Sequence, residues 1–83
     1  MRITKAMYDT ALKHATEDSG TNIEYANMNT IINFSQFPKG GVRIIGLHGK
    51  NRRLSKDKTI NNWRSYSSGE LNKKFAEIEW KAC

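Results

Sequence analysis

The chain has 83 residues, one cysteine and a net charge of +6, from fourteen Lys and Arg against eight Asp and Glu. That length allows one domain over residues 1–83 and leaves no room for a second core. Hydrophobic content is 37%, with two Trp, three Tyr and three Phe, which excludes wholesale disorder. A single terminal cysteine, Cys83, excludes an internal disulfide framework and a Cys-rich zinc site.

Residues 4–20 read as a helix. Thr4 suits the N-cap, and Ile3 and Tyr8 stand at the positions of a hydrophobic staple. Met7, Ala11 and Ala15 recur on one face, flanked by Tyr8 and Leu12. Asp9, Lys13 and Glu17 form an outer (i, i+4) series, and Ser19-Gly20 is the stop.

Residues 21–37 are interrupted by Asn22, Asn27, Asn29 and Asn33. Thr30, Ile32 and Phe34 alternate with Ile31 and Asn33, which predicts strand. A short helix over 22–33 is the alternative, because Tyr25, Met28 and Ile32 also stand at helical spacing. Pro38-Lys39-Gly40-Gly41 is a turn, and Val42–His48 is a strand completing a hairpin, with Gly46 marking a bulge or a close backbone approach. Gly49–Lys58 reads as a polar loop, and Thr59–Tyr66 as a weak third strand anchored by Ile60 and Trp63. Ser67-Ser68-Gly69-Glu70 has the spacing of a capping box, and Leu71, Phe75, Ile78 and Ala82 form a helix face behind it. A terminal strand is the rival, since Ala76, Ile78 and Trp80 alternate with charged residues. The expected fold class is α+β: an N-terminal helix, a short antiparallel sheet of two or three strands and a C-terminal helix.

The charge is not spread evenly. Residues 1–38 carry net −1 and residues 67–83 net 0, so residues 39–66 hold the whole surplus, eight basic side chains against Asp57. Concentrated charge of this kind is an electrostatic footprint for a polyanion. Half of the side chains in Gly49–Lys58 are cationic: Lys50, Arg52, Arg53, Lys56 and Lys58. Arginine offers phosphate a planar fork and lysine a point charge. Lys39, Arg43 and Arg64 can join them. Trp63, beside Arg64, can stack on a base, and Asn51 can read a base edge or a sugar hydroxyl. For His48, at the strand end, a phosphate contact is the better functional reading, and a plain surface histidine is the better reading still. The plainer reading is a solvated loop that keeps a small protein in solution, with Trp63 in the core.

Other chemistry is weakly supported. Gly46-Leu47-His48-Gly49-Lys50 lacks the spacing of a phosphate-binding loop, with Asn51 where Ser or Thr is needed. His48 with Asp57 could serve a small metal-free nuclease, but no recognisable constellation surrounds them. Neither a metal site nor a cofactor is expected, and no catalytic residue is assigned. No run of about 18 apolar residues and no secretory h-region occurs, so no membrane partner is expected and the cytoplasm is the expected location.

Very short, rich in Asn and Lys, basic and without a catalytic signature, the chain resembles the small early accessory proteins of T4-like phages. Among these are inhibitors of a ToxN-type endoribonuclease that act with RNA in the complex, and anti-CRISPR proteins are similar in character. The resemblance implies a counter-defence, antitoxin-like inhibitor in the host cytoplasm that occupies a host toxin or defence enzyme, or its nucleic acid. It transfers no individual residue.

The expectation is a non-enzymatic nucleic-acid-binding protein. RNA is favoured over duplex DNA because aromatics interleave the cations and no recognition helix is visible. An α-β-β-β-α order would be similar to the double-stranded RNA-binding fold, but Ser-Ser-Gly-Glu stands where that fold opens its last helix with lysines. The alternatives are a protein inhibitor whose basic face docks on an acidic partner, and the small nuclease. A homodimer is compatible with so small a core.

Overall fold

A computed structural model describes residues 2–17, 20–48 and 53–76, with only the backbone of residue 48 and of residues 53–56. The elements are α1 (Lys5–Glu17), β1 (Ile23–Ala26), β2 (Thr30–Phe34), β3 (Val42–His48), β4 (Arg53–Ile60), a 3-10 turn (Trp63–Ser65) and α2 (Ser68–Ala76). The fold class is α+β, as the sequence predicts.

The local signals place both helices. Thr4 Oγ1 accepts from the Met7 N–H at 3.1 Å, capping α1. Ala11 is fully buried, and Met7 and Tyr8 pack against the core. At α2 the capping box is reciprocal: Glu70 N–H donates to Ser67 Oγ at 3.2 Å, and Ser67 N–H to Glu70 Oε1 at 3.1 Å. Leu71 and Phe75 are buried as its helical face requires, whereas Ile78 and Ala82 lie outside the described residues.

The sheet corrects the expected two or three strands: there are four, antiparallel throughout, in the order β1-β2-β3-β4. Residues 21–37 hold a hairpin of two strands, β1 and β2, rather than one strand or a helix. Asn27 makes the reversal. Its Oδ1 accepts from the N–H groups of Asn29 at 2.8 Å and Thr30 at 2.7 Å, while its own N–H donates to the Thr30 carbonyl. The asparagines that obscure the strand pattern are thus turn chemistry.

The second correction concerns residues 53–66. Residues 53–58, expected in a loop, pair with β3 as part of β4, and the expected strand over Thr59–Tyr66 keeps only Thr59 and Ile60 before the 3-10 turn. The physical reason is position. β4 is an edge strand, and charged side chains, lysine above all, are how edges avoid pairing with other chains. Such a strand has no apolar alternation to read. Gly46 does mark an irregularity: it pairs with Lys56 and Leu47 with Leu54, so Ser55 is the extra residue of a bulge.

Both helices pack on one face of the sheet. Ile32, Phe34, Val42 and Ile44 point into the core with Ile3, Ala11, Trp63, Leu71 and Phe75. Trp63 is the centre, with its ring edge-to-face against Tyr8 at 5.3 Å and packed at 69° to Phe34 at 4.9 Å. The opposite face carries the intervening residues Ile31, Asn33, Arg43, Ile45 and Asp57. Two glycines make the β2–β3 turn. A Cβ on Gly40 would collide with the Ser35 side chain. One on Gly41 would stand 2.6 Å from Thr59 Cγ2 and 2.9 Å from the Ile60 carbonyl oxygen.

Candidate nucleic-acid interface

The paired strands β3 and β4 hold four of the eight Lys and Arg residues singled out in the sequence: Arg43, Arg53, Lys56 and Lys58. β2 pairs with β3 from Val42 to Gly46, whereas β4 pairs with it as far as His48, opposite Arg53. The last part of the hairpin therefore runs beyond the end of β2. The β4 arm carries Arg53, Lys56 and Lys58 in sequence. Lys50, Asn51 and Arg52 lie outside the described residues.

Within the described part, the cations are not on one surface. Arg43 lies on the open face of the sheet, and Lys58, paired across from Ile44, belongs to the opposite one. Lys58 and Lys39 are exposed, and neither makes an ion pair or hydrogen bond among the described residues. Arg43 is exposed but engaged. Its Nε and Nη2 donate to the two carboxylate oxygens of Asp57 at 2.8 and 2.6 Å, a bidentate pair across β3 and β4. These bonds hold the Asp57 carboxyl below the usual aspartate range and the Arg43 guanidinium above its ordinary value. Sequence reasoning missed Asp57 as this partner, because only the strand register brings residues fourteen apart together.

One predicted contact needs correction, and a second is partly engaged. Trp63 is 0% exposed and cannot stack on a base; its indole N–H donates to the Ser35 carbonyl at 2.7 Å. Its size and its T-shaped neighbours make it the core residue of the plainer reading. Arg64 is half-buried beside it, with the guanidinium carbon 5.0 Å from the indole centroid. Its Nη1 donates to the Phe37 carbonyl, and its Nη2 faces the Ser35 carbonyl at 3.3 Å and Gln36 Oε1 at 3.4 Å. Arg64 is thus a staple for the β2–β3 turn, with part of its guanidinium engaged by neutral acceptors. The other nearby ring, Tyr66, lies under the Lys74 ammonium at 4.8 Å.

His48 and Asp57 do not form a pair on the ladder. Asp57 pairs with Ile45, three positions from His48 and about 10 Å along the strand, and its carboxylate is held by Arg43. No cluster of three His, Cys, Asp or Glu residues that could hold a metal occurs among the described residues. No helix among them is long and apolar enough to cross a membrane. Comparison with known proteins finds no matching family model, no matching curated protein and no matching solved structure.

Proposed function

We propose that this chain is a non-enzymatic nucleic-acid-binding accessory protein that meets the phosphate backbone along its β3–β4 hairpin, and that it inhibits by occupying a host enzyme or that enzyme's nucleic acid. The observation that carries this reading is the hairpin itself. Four of the eight basic residues of the central segment, Arg43, Arg53, Lys56 and Lys58, fall on the two paired strands β3 and β4, and Arg53 stands where that pair runs past the end of β2. A ribbon of this kind fits a groove or follows a backbone, and its lysines and arginines release counterions from the polyanion. Arg53, Lys56 and Lys58 on β4, with Lys50 and Arg52 beside them in sequence, are the assigned contacts. Arg43 joins when phosphate displaces Asp57.

With Trp63 in the core, the indole that favoured RNA over DNA is out of reach of a base, and recognition rests on the backbone. That burial also favours a second reading, in which the basic hairpin docks on an acidic protein surface without nucleic acid.

The test is binding of nucleic-acid-free protein to single-stranded RNA, double-stranded RNA and duplex DNA across a salt series. Affinity should fall linearly with log salt. Arg52→Ala with Arg53→Ala should flatten the slope by up to about 2, with folding unchanged. Absence of binding at moderate salt would transfer the hairpin to the protein-docking reading.

A further inference from the structure

Away from His48 and Arg53, where β3 ends and β4 begins, the domain carries a different kind of surface. An open recess of about 370 Å³ lies between α1 and the β2–β3 turn, lined by Leu12, Ala15, Thr16, Gln36, Pro38 and Arg64. It adjoins the start of β3, about 20 Å along that strand from His48. Two of the large hydrophobic side chains exposed among the described residues stand here: Leu12, 37% exposed, on the wall, and Phe37, 60% exposed, in the turn between Gln36 and Pro38.

Arg64 gives this recess its chemistry. Its hydrogen-bond partners are all neutral: the Phe37 and Ser35 carbonyls and the Gln36 amide oxygen. No carboxylate among the described residues pairs with it, in contrast to Lys5 with Asp9 and Arg43 with Asp57. A guanidinium has five N–H donors, and these contacts use three, so two remain. Gln36 is fully buried, and its amide nitrogen donates to the Phe34 carbonyl at 3.4 Å, which fixes the oxygen toward Arg64. The guanidinium is therefore held in place, half-desolvated and without a counter-charge among the described residues, at the side of a recess half of whose lining residues are apolar.

We infer that this recess is a docking site for a protein partner that presents a carboxylate side chain between apolar residues. The carboxylate supplies the counter-charge that Arg64 lacks among the described residues, and the flanking apolar groups cover Leu12, Ala15 and Pro38. A nucleic-acid backbone fits this surface poorly, because phosphates stay hydrated and need several cations, while the lining offers one, Arg64, beside the apolar Leu12, Ala15 and Pro38. The inference is independent of the nucleic-acid reading, since it uses neither the hairpin nor any of its lysines. A protein with both surfaces can grip a nucleoprotein at two points.

The probe is a blocked tripeptide with glutamate between two leucines, titrated into the ¹⁵N-labelled protein and followed by NMR. The glutamine analogue and inorganic phosphate are the comparisons. The expected result is shifts at the Arg64 side-chain N–H signals and at the amides of residues 12–16 and 36–38. The glutamate peptide should saturate at a concentration about tenfold lower than the glutamine peptide, the scale of a charge-assisted hydrogen bond. Ala15→Glu, which places a carboxylate of the chain's own in the recess, should abolish the response while leaving the thermal midpoint near that of the parent. Thr16→Glu, at an exposed position on the same wall, serves if the first variant fails to fold. Equal response to the two peptides, phosphate binding as well as the peptide, shifts confined to β3–β4, or undiminished binding by a folded Ala15→Glu variant would each overturn the assignment.

Discussion

The Asn72 side chain closes a two-point hydrogen-bonded pair with the backbone of Ile3, accepting from its N–H at 2.9 Å and donating to its carbonyl at 2.6 Å. The amide acts as a one-residue strand partner, tying the segment before α1 to the second turn of α2. Ile3 itself is 1% exposed, so both of its backbone groups need partners that water cannot supply. Asn72→Ala should cost about 1–3 kcal/mol, the penalty for orphaning such groups. Urea denaturation of the variant measures it; a loss within about 0.5 kcal/mol would mean that water replaces the amide.

Trp63 separates a core role from a stacking role. Trp63→Ala removes the largest fully buried side chain and should cost about 3–5 kcal/mol, enough to unfold a domain of this size. Trp63→Phe keeps most of the packing and loses the bond to Ser35. It should fold with reduced stability and bind nucleic acid with unchanged affinity, read by denaturation and by the salt-series titration. A folded Trp63→Phe protein with sharply weaker binding would return the ring to the interface.

Asp57 is the sole acidic residue of the basic segment, and it occupies Arg43. Asp57→Asn removes a negative charge and frees the guanidinium. Under the nucleic-acid reading, affinity should rise, and the salt slope should steepen by about one unit for the added phosphate contact. Unchanged affinity and slope would place Arg43 off the path of the backbone.

The same pair sets a pH dependence. The Asp57 carboxyl is lowered chiefly by its hydrogen bonds to Arg43, and the folded-state value lies below the unfolded one. Its contribution to stability is therefore complete above the unfolded aspartate value and is lost as pH falls through the folded one. A carboxyl NMR titration should find Asp57 protonating below the usual aspartate range, and Arg43→Gln should move it back up. An ordinary midpoint in the parent protein would show the pair to be open in solution.

Gly41 tests the turn. A Cβ at this position meets the Ile60 carbonyl oxygen at 2.9 Å, and backbone cannot yield as a flexible side chain does. Gly41→Ala should destabilise by about 1–3 kcal/mol, the range for overpacking, measured by the denaturation midpoint. A neutral effect would mean that β4 moves away freely at Ile60.

The parts legible in the sequence are those whose physics is local. Thr4, Ser67 and Glu70 announce helix starts because a cap forms between residues three apart. Val42–His48 is legible to the residue because its branched side chains follow a Gly-Gly turn, and Gly46 shows its bulge. The Asn27 turn is less so, because four asparagines compete for the role and only one sits where its oxygen reaches two amides. β4 hides behind Arg53, Ser55, Lys56, Asp57 and Lys58, since an edge strand takes its hydrogen bonds from a neighbour and needs little apolar pattern of its own.

By itself, then, the amino-acid sequence determined the α+β class, the helix caps, the central hairpin strand and the placement of the whole charge surplus in one segment. Composition, periodicity and caps are properties of near neighbours, and they survive without knowledge of the fold. The tertiary structure alone decided which cations are committed: Arg43 to Asp57, and Arg64 to the turn beneath Phe37, while Lys39 and Lys58 remain exposed. It placed Trp63 in the core, the position the sequence already favoured for that ring over base stacking. The reason is that these contacts join residues far apart in the chain, from Arg43–Asp57 to Tyr8–Trp63, and a charge or a ring in the sequence does not carry the address of its partner.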